Sequence, residues 1–104
     1  MASLNRVDLI GRLGADPESR KLNSGDPVVN FRMAMTETWR SKDGERKERT
    51  LWMPVVIFND GLCKIAESYL RKGSQCFVSG ALQAREYEKD GQRHTVMEVV
   101  LQKY

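Results

Sequence analysis

Between Trp39 and Phe58 the chain reads WRSKDGERKERTLWMPVVIF: one aromatic, a charged segment, then two more aromatics in an apolar run. The rings and cations of this stretch suggest contact rather than bond making. Their chemistry is adhesion, with ring faces stacking on flat partners and guanidinium or ammonium groups meeting anions. Trp39 opens a charged loop, a poor place to bury an indole, and the alternative there is packing at a rim. Trp52 and Phe58 share strand parity with Pro54 and Val56, so both rings lie on one face. Leu51, Met53, Val55 and Ile57 take the other face, which leaves a core role for either ring open. Tyr87 sits at a strand end beside a turn, where plain surface placement is the alternative. Arg40, Lys42, Arg46, Lys47 and Arg49 are interleaved with Asp43, Glu45 and Glu48. A solvated hairpin therefore competes with anion binding as their purpose.

Catalytic constellations are missing from the sequence. His94 is the only imidazole and falls inside a strand pattern, with no Ser or Cys elbow near it. No Gly-rich phosphate loop, HExxH or Cys–His spacing is present, so the sequence argues against an enzyme and implies no cofactor and no metal. Cys63 and Cys76 carry no ligand or disulfide spacing and read as small apolar fillers in a reducing compartment.

The elements that must position the aromatics follow from the bulk numbers and the period. A chain of 104 residues supports one domain with one small core. Seventeen basic against fourteen acidic residues give a net +3, which only weakly favours a polyanionic partner. No run of about 18 apolar residues exists, and the opening MASLNRVDLIGR lacks the apolar core of a secretory signal, so a cytoplasmic protein is expected.

Asn5 to Leu13 alternates as a half-buried strand, with Gly11 and Gly14 marking a bulge or sharp bend. Asp16-Pro17 breaks it, and Glu18 to Leu22 is a short polar continuation ended by the turn formers Asn23 to Pro27. Val28 to Thr38 and Thr50 to Phe58 form a long hairpin, closed by Asp43-Gly44 in a tip spanning Arg40 to Arg49. Pro54 should sit at a bulge or where its missing donor would face outward. Asn59 or Asp60 caps a helix in which Leu62, Ile65, Ala66, Tyr69 and Leu70 form the apolar stripe, with Gly73 as its stop. Gln75 to Tyr87 and Arg93 to Gln102 are the last strands, joined through Lys89-Asp90-Gly91-Gln92. Five antiparallel strands with one helix between the third and fourth is the all-β layout of the OB-fold, a five-stranded Greek-key barrel.

Several blocks resemble the bacterial single-stranded DNA-binding proteins. They are Asn5-Arg6-Val7 with Leu9 to Glu18, Glu37 to Arg40, Trp52 to Phe58, and Tyr69 to Ser74. The resemblance runs along nearly the whole chain. It implies one OB-fold domain over residues 1–104, in a homo-oligomer, usually a tetramer, that wraps single strands during replication, recombination and repair. It also implies that Trp39, Trp52, Phe58 and Tyr87 stack on bases. Arg6, Arg20, Lys42, Lys72 and Arg85 then lie along the strand's path, and the hairpin's Arg40 and Arg49 join them as phosphate contacts. Many members have His-Arg where this chain has Met53-Pro54, and that His helps to hold the tetramer, so a dimer stands beside the tetramer as an expectation. Glu86 occupies a position that is often basic. Full-length members of this family continue through a Gly-rich linker to an acidic tip that recruits other proteins, whereas this sequence stops at Tyr104; it is expected to be either the core of such a protein or a short relative, with tail-mediated recruitment not encoded in these 104 residues. A dimeric OB-fold like primosomal replication protein N, or an OB-fold protein-interaction module, is the alternative.

Overall fold

In the computed structural model, residues 2–101 are described. The elements in chain order are β1 (Val7–Leu13), β2 (Glu18–Lys21), β3 (Pro27–Arg40), β4 (Arg46–Ile57), α1 (Asp60–Tyr69), β5 (Gln75–Lys89) and β6 (Gln92–Leu101). Strand neighbours run β1-β5-β6-β4-β3, and β1 also pairs with β3, which closes a five-stranded barrel. The OB-fold expectation is met in strand order and in the place of the helix. Within the closed ring one pairing differs from the all-antiparallel expectation: β4 and β6 run parallel, with Val55, Val56 and Ile57 opposite Val99, Val100 and Leu101. The helix and β5 intervene between these strands, and such a connection is long enough to bring β6 in alongside β4 in the same direction.

The short polar segment is a strand of its own, since β2 pairs with β3 from Glu18↔Asn30 to Lys21↔Pro27 as an exposed edge outside the barrel. The long hairpin is more regular than its charge pattern suggests. Its ladder continues without a bulge from Val29↔Ile57 to Arg40↔Arg46, so only Ser41 to Glu45 form the tip. Pro54 lies in register opposite Arg32, one residue before β6 joins β4, and so its missing donor falls on an open edge. Beyond β1, the Asn5 side chain prolongs the sheet by copying a peptide group: its Nδ2 donates to Leu82 O at 2.8 Å, and Leu82 N donates to its Oδ1 at 2.9 Å. The last strand's expected final residue, Gln102, lies outside the described residues.

The core gathers Leu13, Val29, Phe31, Met33, Val55, Ile57, Val78 and Val99 from the inward parity of the strands, with Cys63 and Ala66 from α1. Gly11 lets β1 close the ring, because a Cβ there would meet the Ala34 backbone as β1 crosses from β5 to β3. Asn59 is the helix cap, accepting from Leu62 N at 3.1 Å. The expected apolar stripe is wrong in detail: Leu62, Ile65 and Tyr69 are exposed, while the small Cys63 and Ala66 are buried. A helix lying close over β3 fits small side chains there better than large ones. Its end is also earlier than Gly73. Leu70 is already extended and packs against the core, and Arg71 Nη1 donates to the freed carbonyls of Glu67 and Leu70 at 2.8 and 2.7 Å.

Candidate nucleic-acid interface

Strand register decides which side chains share the outer surface. Arg32 lies opposite Pro54 and Ala34 opposite Trp52, so β3 and β4 present Asn30, Arg32, Trp52, Pro54 and Val56 together. Val56 lies opposite Val100 in β6, and Val100 opposite Ala81 in β5, which carries the same surface on to Gln83, Arg85 and Tyr87. One continuous outer face therefore runs from Trp52 across β6 to Tyr87.

Trp39, Trp52, Phe58 and Tyr87 are between 39% and 45% exposed, which removes the core alternative for Trp52 and Phe58. Three of the four have a guanidinium within reach of the ring: Arg32 is 5.3 Å from the Trp52 centroid, Arg49 is 5.9 Å from Trp39, and Arg85 is 5.8 Å from Tyr87. These are cation–π distances. Tyr87 also stacks on His94, directly opposite it in the ladder, at 5.3 Å between centroids and 24° between planes.

Two grooves follow this face. The first is lined by Gly14, Ala15, Asp16, Glu18, Asn30, Phe31, Arg32 and Trp52. A Cβ on Gly14 would lie 2.8 Å from Trp52 Cη2, so the indole rests directly on the glycine backbone. The second groove holds Arg20, Asn30, Arg32, Phe58, Arg85 and Glu98 over a floor that includes Val28 and Val56. Arg32 and Asn30 line both, and so join the two into one path.

The structure brings Arg20, Arg85 and Phe58 together as expected, and places Arg40 with Trp39 in a separate hollow lined also by Thr38 and Arg46. It separates two residues expected to work side by side. Trp39 has the parity of Met35 and Glu37, opposite to Ala34 and its partner Trp52, so the two indoles stand on opposite faces of the ribbon. Arg49 follows Trp39 and pairs with Glu37. Lys42 is in the tip turn. Arg6 is held by Asp8 at 3.3 Å; the Asp8 carboxyl is lowered below its ordinary range first by the Ser79 hydroxyl and then by Arg6. Lys72 lies beside the first groove through its backbone N–H, which donates to Asp16 Oδ1 at 2.7 Å.

Arg32, Gly14, His94 and Glu98 belong to this surface although the sequence did not single them out as members. Arg32 stood in the polar parity of a recognised strand. Only its register against Pro54 shows that it reaches Trp52, and register is a long-range property. Among the described residues, no three His, Cys, Asp or Glu side chains come together as metal ligands. Burial pushes the thiols of Cys63 and Cys76 up from their ordinary value.

A closed OB barrel with exposed rings and guanidinium groups along one outer path defines a class: barrels whose sheet surface is the binding surface. Comparison with known proteins narrows it. The model of the "Single-strand binding protein family" matches residues 4–104, and the chain belongs to that family. A single-stranded DNA-binding protein of Rhizobium meliloti (strain 1021) is 48% identical over 102 residues, covering 96% of this chain and 59% of the relative. One from Rickettsia typhi (strain ATCC VR-144 / Wilmington) is 47% identical over 104 residues, covering 98% of this chain and 68% of the relative. Among solved structures, "Plasmodium falciparum SSB complex with ssDNA" superposes with a TM-score of 0.89 at 36% identity, covering 97% of this chain and 89% of that one. The chain thus spans about three fifths to two thirds of the length of these curated relatives.

Proposed function

We propose that the chain is a non-enzymatic, sequence-tolerant single-stranded DNA binder, one OB-fold domain over residues 1–104, acting in replication, recombination and repair in the bacterial cytoplasm at the nucleoid. The observation that carries this is the path from Trp52 through Arg32 and Phe58 to Arg85 and Tyr87. Every unpaired base offers a π-face, so exposed rings flanked by cations bind single strands without reading sequence. Trp39, Trp52, Phe58 and Tyr87 stack, and Arg6, Arg20, Arg40, Lys42, Arg49, Lys72 and Arg85 meet phosphates, joined by Arg32. The relatives named for single-stranded DNA binding, and the neighbour solved with single-stranded DNA, support the ligand class. No helix among the described residues is long and apolar enough to cross a membrane.

The partner copy has a surface of its own. Ile10 and Phe77 are cross-strand neighbours on the outer face of β1 and β5, and both are strongly exposed. Two large apolar groups paired in solvent suit a homo-oligomeric contact. Titrating oligo-dT while following tryptophan emission tests the function: emission should quench at low salt and recover as salt rises. A folded protein that shows no quenching would be an interaction module instead. Light scattering with and without oligo-dT gives the assembly, with four chains expected and two chains pointing to the dimeric alternative.

A further inference from the structure

Glu98 is the one buried charged residue among the described residues, its side chain only 5% exposed, and it lies in the groove assigned to a polyanion. A carboxylate there lowers the local positive potential, and burying it costs solvation unless it is paired. Its partner is Arg85, whose Nε lies 3.3 Å from Oε1 and 3.5 Å from Oε2. The arginine is the open half of the pair, with its side chain 53% exposed. The contact uses Nε alone. Among the described residues the terminal nitrogens of Arg85 make no hydrogen bond, so they keep the planar fork that meets phosphate through two parallel bonds.

We propose that Glu98 is a positioning residue: it grips Arg85 by Nε, aims the free end of the guanidinium at the phosphate backbone, and keeps phosphates off the groove floor so that bases enter there. This rests on the single-strand reading above. Phe58, Val56 and the Arg32 guanidinium bound the reserved space, which suits a flat ring better than an anion sitting against a carboxylate. The direction of the effect is what sets the idea apart. On net charge alone, neutralising Glu98 should tighten binding of a polyanion and steepen its salt dependence. If Glu98 aims Arg85, the same change should weaken binding and flatten the salt dependence.

The test is oligo-dT titration of the full chain by tryptophan emission from 50 to 200 mM salt, for the wild type, Glu98→Gln, Arg85→Ala, the double variant and Arg85→Lys. Glu98→Gln is expected to bind about fivefold to tenfold more weakly at low salt, with a log–log slope shallower by up to ~0.7. It should then lose roughly 2.6-fold less affinity across that salt range than the wild type. Combined with Arg85→Ala it should add nothing, because the two residues act as one unit. Arg85→Lys keeps the charge and loses the fork, so it should bind more weakly than the wild type while keeping the wild-type salt slope, and this arm holds even where Glu98→Gln folds poorly. Tighter binding or a steeper slope in Glu98→Gln overturns the proposal, as does a further loss in the double variant or wild-type affinity in Arg85→Lys. A wild type that does not quench at all overturns the underlying function as well, whereas a binding wild type with an unaltered Glu98→Gln overturns the positioning role alone.

Discussion

From Val29 to Met33, β3 pairs with Ile57 to Met53 over a sealed core, with Val29, Met33 and Val55 wholly buried. From Thr36 to Arg40 the same ladder faces Thr50 to Arg46 with no second layer against it, and the residues of both strands are exposed. Hydrogen-bond register is uninterrupted along the whole length. What changes is whether a barrel lies behind the sheet. Ladder bonds therefore set the shape of the ribbon, while packing decides where stability resides and which rings stay available to a ligand.

The sharpest way to break this contrast is to cut one residue from each half. Met33→Ala should lower the unfolding free energy by about 2–5 kcal/mol, measured by urea denaturation, whereas Trp39→Ala should leave stability within about 0.5 kcal/mol. Equal losses would mean that the ribbon is part of the cooperative core. Next in size, Trp52→Ala should keep the fold and weaken oligo-dT binding by about 1–3 kcal/mol, a scale carried over from OB-fold single-strand binders as a class rather than obtained from this geometry. Unaltered affinity in the folded variant would take Trp52 off the path. Gly14→Ala should lift the indole from its seat and weaken binding several-fold, with a changed tryptophan emission maximum in the free protein. An unchanged spectrum would show that the ring relaxes without cost.

Smaller effects belong to the tip. Lys42→Ser should reduce the log–log salt slope by ~0.7 if that ammonium meets a phosphate and by nothing if it only solvates the turn. At Asp43 the carboxyl is held below its ordinary value chiefly by the Ser41 hydroxyl. The folded group is the stronger acid, so its contribution is present above the unfolded value near 3.8 and fades as pH falls through the lower folded value. Acid titration followed at the tip amides should show this loss at Ser41 to Glu45 before the barrel amides respond; simultaneous loss would tie the tip to the core.

Much of the barrel was legible because period two and turn chemistry are local. Val29, Phe31 and Met33 declared their face, Asp43-Gly44 its turn, and Asn59-Asp60 the cap of the helix to within one residue. The helix was harder, since Leu62, Ile65 and Tyr69 have the spacing of a buried stripe and yet face outward. The close approach of α1 to β3 admits Cys63 and Ala66 instead, and no window of sequence contains that distance. The four aromatics were legible as candidates, but their division between the two faces of the ribbon follows from register. Arg32 and Glu98 needed more still, because each acquires its role from the register of the neighbouring strand, Arg32 against Trp52 in β4 and Glu98 against Arg85 in β5.

The parallel seam between Val55–Ile57 and Val99–Leu101 bears on how the protein is made. Synthesis runs from the amino end, so the hairpin, the helix and β5 emerge before the segment that completes the ring is available. Until Val99 leaves the ribosome, Val55 and Ile57 have no neighbour on that edge, and the nascent sheet presents an open border where another chain could add. Slow translation over the codons of β6 would lengthen that exposure, so chaperone dependence during expression should grow with the delay before this strand is delivered.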